Sequence, residues 1–429
     1  MPTIGRFLSG CACLSLLALA AVPASGADTS KPDFVVATSG NDAWSGRLAA
    51  PAADGKDGPF KTLARAQKAV RELRKAEPRR HAAIVVQVRG GLHALAEPLV
   101  FTPEDSGSAD APVVYRAAPG ETPVLSGGTA LTGWKVDEKG RWVLDLPDVK
   151  SGAWNFTQLF VNGQRRYRPR LPKNGYHFIT GELPPSDTVQ GKGDDRFRFQ
   201  PGEFRANWSN LGDVEVLAFQ VWTMARFRIA HIDEAERTVT FTGTTRGRQA
   251  YSKLSTGRRF LVENVKEALG SPGEWYLDRP AGTLTYIPKP GEDPARAEVI
   301  APRVETLVTI AGDPAGKHLV EYVTFEGLGF AHANWTTPPQ GNAFPQAEVN
   351  LGAAIEAVGA RHCAFVGCKV EHVGAYAISW GEACQNDAVR NCVLADLGGG
   401  GVKIGEIAIR DEDRQASHNT VENCLIAAG

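Results

Sequence analysis

Residues 391–406 read NCVLADLGGGGVKIGE, in which a short apolar run carrying Asp396 leads into four glycines and then into a second apolar run ending at Glu406. A helix is excluded here, because each glycine in a helix interior costs about 1 kcal/mol relative to alanine. Glycine has no Cβ and accepts positive φ, so it permits a sharp bend where side chains would collide. The sequence therefore predicts a strand, a bend and a second strand.

The same pattern recurs at several points before and after this stretch. Cys368, Cys392 and Cys424 occupy one position in three successive copies, and Leu328 occupies it in a copy further upstream. The intervals between these copies differ, whereas the strands within them stay alike. Constant strands separated by variable intervals are typical of a β-solenoid whose loops differ in length. We interpret the cysteines as a stacked core column rather than as disulfides or metal ligands, because free cysteine packs as a small apolar residue.

Composition excludes several classes of partner. The 429 residues include 47 basic and 48 acidic side chains, so the net charge of −1 gives no reason to expect nucleic acid or an anionic membrane as a partner.

Residues 1–27 read as a signal peptide, with Arg6, an apolar run over 11–22 and a small-residue cleavage site. We therefore expect export to the periplasm or the extracellular space, and no segment is long enough for a transmembrane helix.

The remainder of the chain is predicted to contain three regions. Residues 28–128 should form the first solenoid rungs and a helix after Thr62, which we expect to cover the open first rung. Residues 129–302 have longer alternating strands and hairpin turns, which predict an inserted antiparallel β-domain. Solenoid rungs should resume over 303–429 and end there without a cap, which suggests either a fragment or a chain that pairs with something else.

Five blocks in order together resemble secreted bacterial right-handed parallel β-helix proteins. The nearest group is glycoside hydrolase family 141, and family 120 is more distantly similar. The blocks are SGNDAWSG with DGPFKTLARAQKAVREL, GGLHALAEPLVFTPEDSGS with APVVYRAAPGETPVLSGG, LFVNGQRRYRPRLP, GEWYLDRPAGTLTYIP, and DLGGGGVKIGE. The resemblance implies an all-β fold, a right-handed parallel β-helix of the pectin-lyase type, and action on carbohydrate. It also implies further rungs beyond residue 429, which would carry much of the catalytic surface.

Glycoside hydrolysis needs two carboxyl groups, and a solenoid can supply them by stacking. Glu382 and Glu406 are separated by the same interval as Cys368 and Cys392, so we expect them at one position on successive rungs. Rungs lie about 4.8 Å apart, which suits the ~5 Å separation of a retaining pair. Crowding should raise the pKa of one of them, so that it could act as an acid.

Asp396 is the third catalytic candidate, and three nearby residues are candidates for binding substrate. His372 precedes Asp396 by that same interval, so the two should be neighbours that bind sugar hydroxyls or share a proton. Trp380 could stack on a sugar ring. Lys403 lies on the strand that follows the four glycines. It is the candidate base if the protein is a lyase instead of a hydrolase.

The sequence therefore predicts a glycoside hydrolase that acts on a polysaccharide or oligosaccharide without a metal or cofactor. Two alternatives stay open. A polysaccharide lyase would use a base such as Lys403 and often calcium, for which the acidic run Asp411–Asp413 could offer oxygen ligands. A carbohydrate-binding or structural solenoid would have no catalysis. The run Arg165, Arg166, Arg168 and Arg170 could contact an acidic saccharide, although alternate arginines more often mark an exposed strand.

Overall fold

A computed structural model describes residues 31–189 and 191–429, so the predicted signal peptide over 1–27 lies outside the described residues. The described chain is mostly β-structure, with three large parallel sheets and three antiparallel sheets. This confirms the predicted all-β class with parallel sheets. Among the described residues, no helix is both long and apolar enough to cross a bilayer.

The parallel sheets, named A, B and C here, share one apolar core. In spatial order, sheet A contains Phe34–Val36, Ile84–Val88, Val113–Ala117, Val323–Glu326, Ala364–Val366, Ala388–Arg390 and Thr420–Glu422. Sheet B contains Gly91–Ala94, Pro123–Ser126, Gly329–Ala333, Lys369–Val373, Val393–Leu397 and Leu425–Ala427. Sheet C contains Leu99–Phe101, Val308–Ala311, Ala353–Val358, Tyr376–Trp380 and Val402–Ile404. A two-stranded parallel sheet joins Val320–Glu321 to Ala360–Arg361.

The chain visits the three sheets in turn. From Ala364–Val366 in sheet A it passes to sheet B and then to sheet C, and it re-enters sheet A at Ala388–Arg390. Each circuit pairs in parallel with the preceding one, as shown by Lys369 opposite Val393 and Ile378 opposite Val402. The predicted strand, bend and strand of residues 391–406 are therefore confirmed as part of one circuit.

The bend after Val393–Leu397 is built differently from the prediction. None of the four glycines at 398–401 has positive φ, whereas Asp396 has φ of 53°. Equivalent residues on the two preceding circuits, His332 and His372, have φ of 63° and 58°. Glycine is needed at 398 for space, because a Cβ there would lie 2.1 Å from the carbonyl oxygen of Gly374. Close approach of successive circuits, rather than left-handed backbone, accounts for this glycine.

The cysteine column is confirmed. All five cysteines after residue 362 are free, and Cys368 and Cys392 are buried in the core of the parallel sheets. The amide of Cys392 approaches the sulfur of Cys424 at 3.4 Å, so the column continues into the next circuit.

The predicted helix is Leu63–Ala76, and Thr62 caps it by accepting a hydrogen bond from the Arg65 amide. Its buried side chains, among them Leu63, Val70 and Leu73, belong to the same core as sheets A to C. The other helical segments are the short helix Pro147–Lys150 and the 3-10 turns Pro103–Asp105, Asp187–Val189, Leu211–Asp213, Ala250–Ser252, Lys266–Ala268, Gln346–Glu348 and Glu412–Arg414.

The antiparallel sheets, D, E and F, come almost entirely from the chain between residues 128 and 302. Sheet D contains Gln164–Arg166, Leu159–Val161, Val299–Pro302 and Gly128–Ala130. Sheet E contains Trp275–Asp278, Thr283–Tyr286, Trp142–Asp145 and Lys135–Val136. Sheet F contains Arg170–Leu171, His177–Phe178, Arg259–Glu263, Glu215–Phe219, Met224–Asp233, Thr238–Phe241, Arg196–Arg198, Gly181–Glu182 and Asn342–Ala343. Sheet F has an apolar core of its own, and sheets D and E share another. The predicted domain boundaries stay predictions.

Candidate functional site

A cavity of about 910 Å³ lies where the antiparallel sheets meet the parallel ones. The antiparallel side contributes strand and turn residues that include Arg168, Arg226 and Glu263. The parallel side contributes Gly374 and Gly398, which follow successive sheet B strands. Ligand pockets typically have volumes of about 300–1,000 Å³, so this cavity has room for a small ligand or part of a chain.

Two arginines and two glutamates form a compact charged cluster in the cavity wall. The Arg226 guanidinium donates to Glu215 and to Glu263 at 2.8 Å each, and that of Arg168 contacts Glu215 at 2.7 Å. Burial opposes ionisation of Glu263, but the arginine charges outweigh it and hold its pKa below the usual value. The charges of these four side chains cancel, so the cluster adds no net charge to the cavity wall.

Glu348 is a carboxyl group in a different environment at the same cavity. Among the described residues its side chain has no hydrogen-bond or ion-pair partner, and burial raises its pKa while the charge of Arg226 opposes that rise. Ala347 and Glu348 both have left-handed backbone, with φ of 56° and 48°. Tyr376 Oη fixes this segment by donating to the Ala347 carbonyl at 2.6 Å. Left-handed non-glycine residues are costly and concentrate at functional sites.

Asp396 and His372 are in contact, as their spacing predicts. His372 Nδ1 lies 2.6 Å from Asp396 Oδ2, and Arg165 Nε donates to Asp396 Oδ1 at 2.8 Å. Burial would raise the pKa of Asp396, but the bonds from His372 and Arg165 outweigh it and lower the pKa. Arg165 also lines the cavity, so it joins the predicted Asp396–His372 pair to the cavity wall.

His332 extends this contact to the preceding circuit. Its ring stacks on that of His372 with centroids 5.5 Å apart, and its Nδ1 lies 2.9 Å from Ser126 Oγ. Burial lowers the pKa of His332 to about 3, helped by the charges of His372 and Arg165. His332 is therefore neutral, and it packs against His372 from the preceding circuit without adding charge to the site.

The structure does not bring Glu382 and Glu406 to Asp396. Asp396 precedes the strand Val402–Ile404, whereas Glu406 follows it. Glu382 likewise follows Tyr376–Trp380, a strand that spans about 13 Å at ~3.3 Å per residue. The predicted trio is thus divided, with Asp396 in a sheet B strand and the two glutamates beyond the far ends of the sheet C strands.

Arginines surround both glutamates at that far end. Arg410 pairs with Glu406 and lies 3.2 Å from Glu382, and Arg414 also pairs with Glu382. These ion pairs join the long loop before Thr420–Glu422 to the preceding circuit. Arg410 therefore lies between the two carboxyl groups that the spacing predicted to be crowded together.

The surroundings of Trp380 and Lys403 do not fit the predicted roles of these two residues. Trp380 is fully buried in the core against Phe365, so it cannot stack on a sugar. Lys403 Nζ donates to the Leu351 carbonyl at 2.5 Å and lies over the ring of Tyr376. Burial lowers the pKa of Lys403, although its amine is occupied by this carbonyl.

The arginine run after Asn162 is not an exposed strand. Arg166 is buried and pairs with Glu292 at 2.5 Å, while Arg165 and Arg168 pair as described above. Within the described ranges, no group of three or more His, Cys, Asp or Glu side chains is placed to hold a metal ion. Asp413, in the acidic run proposed for calcium, lies 3.6 Å from Lys317.

Sequence reasoning missed Glu348 and the cavity itself. Glu348 lies in an irregular segment with no repeat, and its neighbour Arg226 is distant in the chain, on a strand of sheet F. Trp335, a half-buried cavity residue that packs against Phe344, was also missed. Its position shortly after a sheet B strand is the one signal that could have indicated it.

Comparisons with known proteins give structural rather than sequence matches. No family model matches the sequence, and no curated protein matches it. A solved structure described as "Glycoside hydrolase" superposes with a TM-score of 0.75 and 25% identity, over 91% of this chain and 72% of that one. A structure titled "The complex structure of XylC with xylose" has a TM-score of 0.47 and 14% identity, over 91% and 53%. The similarity to a glycoside hydrolase supports a carbohydrate-active enzyme.

Proposed function

We propose that the protein is a glycoside hydrolase that cleaves a polysaccharide or oligosaccharide in the cavity between its parallel and antiparallel sheets. The structural similarity to a glycoside hydrolase supports this reaction class. We further propose that sheets A to C form a right-handed parallel β-helix of the pectin-lyase type, related to glycoside hydrolase family 141. The sequential visits to three parallel sheets around one core support that architecture.

The observation that carries the proposal is the contrast between two carboxyl groups. Glu348 is desolvated and has no partner among the described residues, and its pKa is raised. Asp396 is ionised, with its pKa lowered by Arg165 and His372. In glycosidases, the carboxyl group whose environment raises its pKa acts as the acid. The carboxyl group whose pKa stays lower is the ionised partner.

In this mechanism Glu348 donates its proton to the glycosidic oxygen as the bond to the leaving sugar breaks. Asp396 lies just outside the cavity lining behind Arg165, with 32% of its side chain exposed, and acts as the base that activates water for attack on the anomeric carbon. Arg165 and His372 hold both oxygens of Asp396 and fix its orientation. Trp335 lines the same cavity, and we propose that a sugar stacks on its ring.

Glu263 and Glu274 also line the cavity, and we assign both a structural role. Arg168 and Arg226 hold Glu263 within a neutral cluster, and Lys173 Nζ lies 2.6 Å from Glu274. Glu382 and Glu406, outside the cavity lining, are likewise proposed to anchor the loop before Thr420–Glu422 through its arginines. These assignments provide matched comparisons for the two catalytic carboxyls.

The remaining sequence predictions form part of the same proposal. Residues 1–27 would direct export to the periplasm or outside the cell, residues 28–128 and 303–429 would form the β-helix, and 129–302 the inserted domain. No metal or cofactor is required by the proposed carboxyl chemistry.

The test is turnover of glycan panels by the wild type and by Glu348→Gln, Asp396→Asn and Glu406→Gln. We expect Glu348→Gln and Asp396→Asn to lower kcat by at least about 100-fold, the usual scale for losing an acid or its partner. Glu406→Gln should retain activity. Full activity in Glu348→Gln with an unchanged fold would refute the assignment.

Product analysis separates the hydrolase from the lyase alternative. A lyase leaves an unsaturated sugar end that absorbs ultraviolet light, whereas a hydrolase leaves a reducing end without that absorbance. For the hydrolase we expect new reducing ends and no absorbance change. Loss of the absorbing product in Lys403→Gln would instead support the lyase.

A further inference from the structure

We propose that the substrate of this cavity is an acidic saccharide whose sugar units carry carboxylate groups. This inference rests on the proposed function, because it specifies the substrate class of the same site. It follows from the distribution of charge around the cavity.

The cavity wall is much more cationic than the chain as a whole. Of the described residues that line it, seven are Arg or Lys and three are Glu, whereas the full chain has 47 basic and 48 acidic residues. An excess of one sign in a partly enclosed site concentrates ligands of the opposite sign.

Two ion pairs in the wall have only their arginine in the cavity lining. Arg165 lines the cavity while its partner Asp396 lies beyond it, and Arg166 lines the cavity while Glu292 does not. These pairs cancel in net charge, and only the Arg165 side chain is accessible to a ligand, with 19% of it exposed against 2% for Arg166. Guanidinium is the side chain best suited to bind a carboxylate through two parallel hydrogen bonds.

Two cations in the wall are not neutralised at all. Among the described residues, neither the Arg170 nor the Lys289 side chain has a hydrogen-bond or ion-pair partner, and both line the cavity. Lys289 packs along Gly273, where a Cβ would lie 2.8 Å from Lys289 Cε. Glu348, the carboxyl that lines the cavity without an ion pair, is the proposed proton donor and is neutral when it acts. The working cavity therefore has unpaired positive charge for an anionic ligand.

The test is binding of oligouronides and of their methyl esters, which differ only in charge. The ligands are oligosaccharides from pectin, alginate and glucuronate-bearing xylan, each as acid and as ester, with sulfated dextran as a second anion. The proteins are the wild type, Arg170→Gln/Lys289→Gln, and the control Arg248→Gln/Lys253→Gln. The control removes the same charge from exposed residues outside the cavity lining.

We expect at least one uronide to bind the wild type about tenfold more tightly than its ester, with affinity falling as salt rises. Arg170→Gln/Lys289→Gln should lose most of that preference, and the control should keep it. Equal binding of every acid and its ester, or tighter binding of sulfated dextran than of every uronide, would overturn the inference. Because binding is measured without turnover, a protein that binds uronides but cleaves nothing would refute only the proposed hydrolysis. One that cleaves only neutral glycans would refute only this inference.

Discussion

Asp387 lies at the start of the strand Ala388–Arg390 and should make the stability of the protein depend on pH. Its Oδ1 accepts a hydrogen bond from the Cys363 amide at 2.7 Å, while Oδ2 has no partner among the described atoms. Burial raises the pKa of this carboxyl from 3.8 to about 7, against the smaller opposing effects of the Cys363 and Gln385 amides. We predict that Asp387→Asn stabilises the protein at pH 8.

The sign and size of the effect follow from linkage. Below pH 3.8 both the folded and the unfolded chain hold the proton. Between pH 3.8 and about 7 the unfolded chain loses it first, so stability falls as pH rises. The full difference of about three pH units corresponds to about 4 kcal/mol, and roughly 3 kcal/mol of it should develop between pH 5 and pH 8.

Asparagine suits this position because the next circuit already uses one. Asn419, the equivalent residue, accepts from the Asp387 amide at 2.9 Å through Oδ1 and donates to the Cys384 carbonyl. Asp387→Asn should therefore keep the bond from Cys363 and remove only the charge.

The measurement is the free energy of unfolding in urea at several pH values from 5 to 8 for the wild type and Asp387→Asn. The variant should gain about 3 kcal/mol relative to the wild type over this range. The converse change, Asn419→Asp, should add a second loss of stability with rising pH. If the wild-type and Asp387→Asn curves run parallel, Asp387 is ionised in the folded state and the reasoning fails.

Three further outcomes are expected. Activity of the wild type should decline as pH rises through the raised pKa of Glu348, and a pH–rate profile of Glu348→Gln should lack that decline. Trp335→Ala should raise KM by about threefold to tenfold with little change in kcat, whereas a large fall in kcat alone would argue against stacking. Gly398→Ala should cost about 1–3 kcal/mol in urea unfolding, because its Cβ would meet the Gly374 carbonyl. Gly212→Ala, which has open space, should be neutral and serves as its control.

Much of the fold could be predicted because the repeat is local. The interval between Cys368 and Cys392 is the length of one circuit, and it also placed His372 against Asp396. The same interval related Glu382 to Glu406 but carried no information about which end of a strand each residue occupies. The sequence therefore predicted which residues lie next to each other on successive circuits. It did not predict where on a circuit each pair lies.

The cavity could not be predicted because its two walls are distant in sequence. Arg226 lies on a strand of sheet F and Glu348 in the 3-10 turn Gln346–Glu348, and neither belongs to a repeat. Such pairings decide whether an arginine is free to contact a ligand. Arg170 lines the cavity with no partner among the described residues, whereas Arg166 is held by the buried Glu292. Tertiary contacts, rather than local patterns, decide the chemistry of this site.

The left-handed position near the end of successive sheet B strands limits which residues can occupy it. Only a few residue types adopt that backbone readily, chiefly glycine, asparagine, aspartate and histidine. Asp396 and the two histidines at 332 and 372 come from that short list, and their side chains accept, donate or relay protons. Ala428 holds the equivalent position on the next circuit with φ of 53°, so the backbone favours these residue types without requiring them. Insertions elsewhere in a circuit can change the loops without changing that preference.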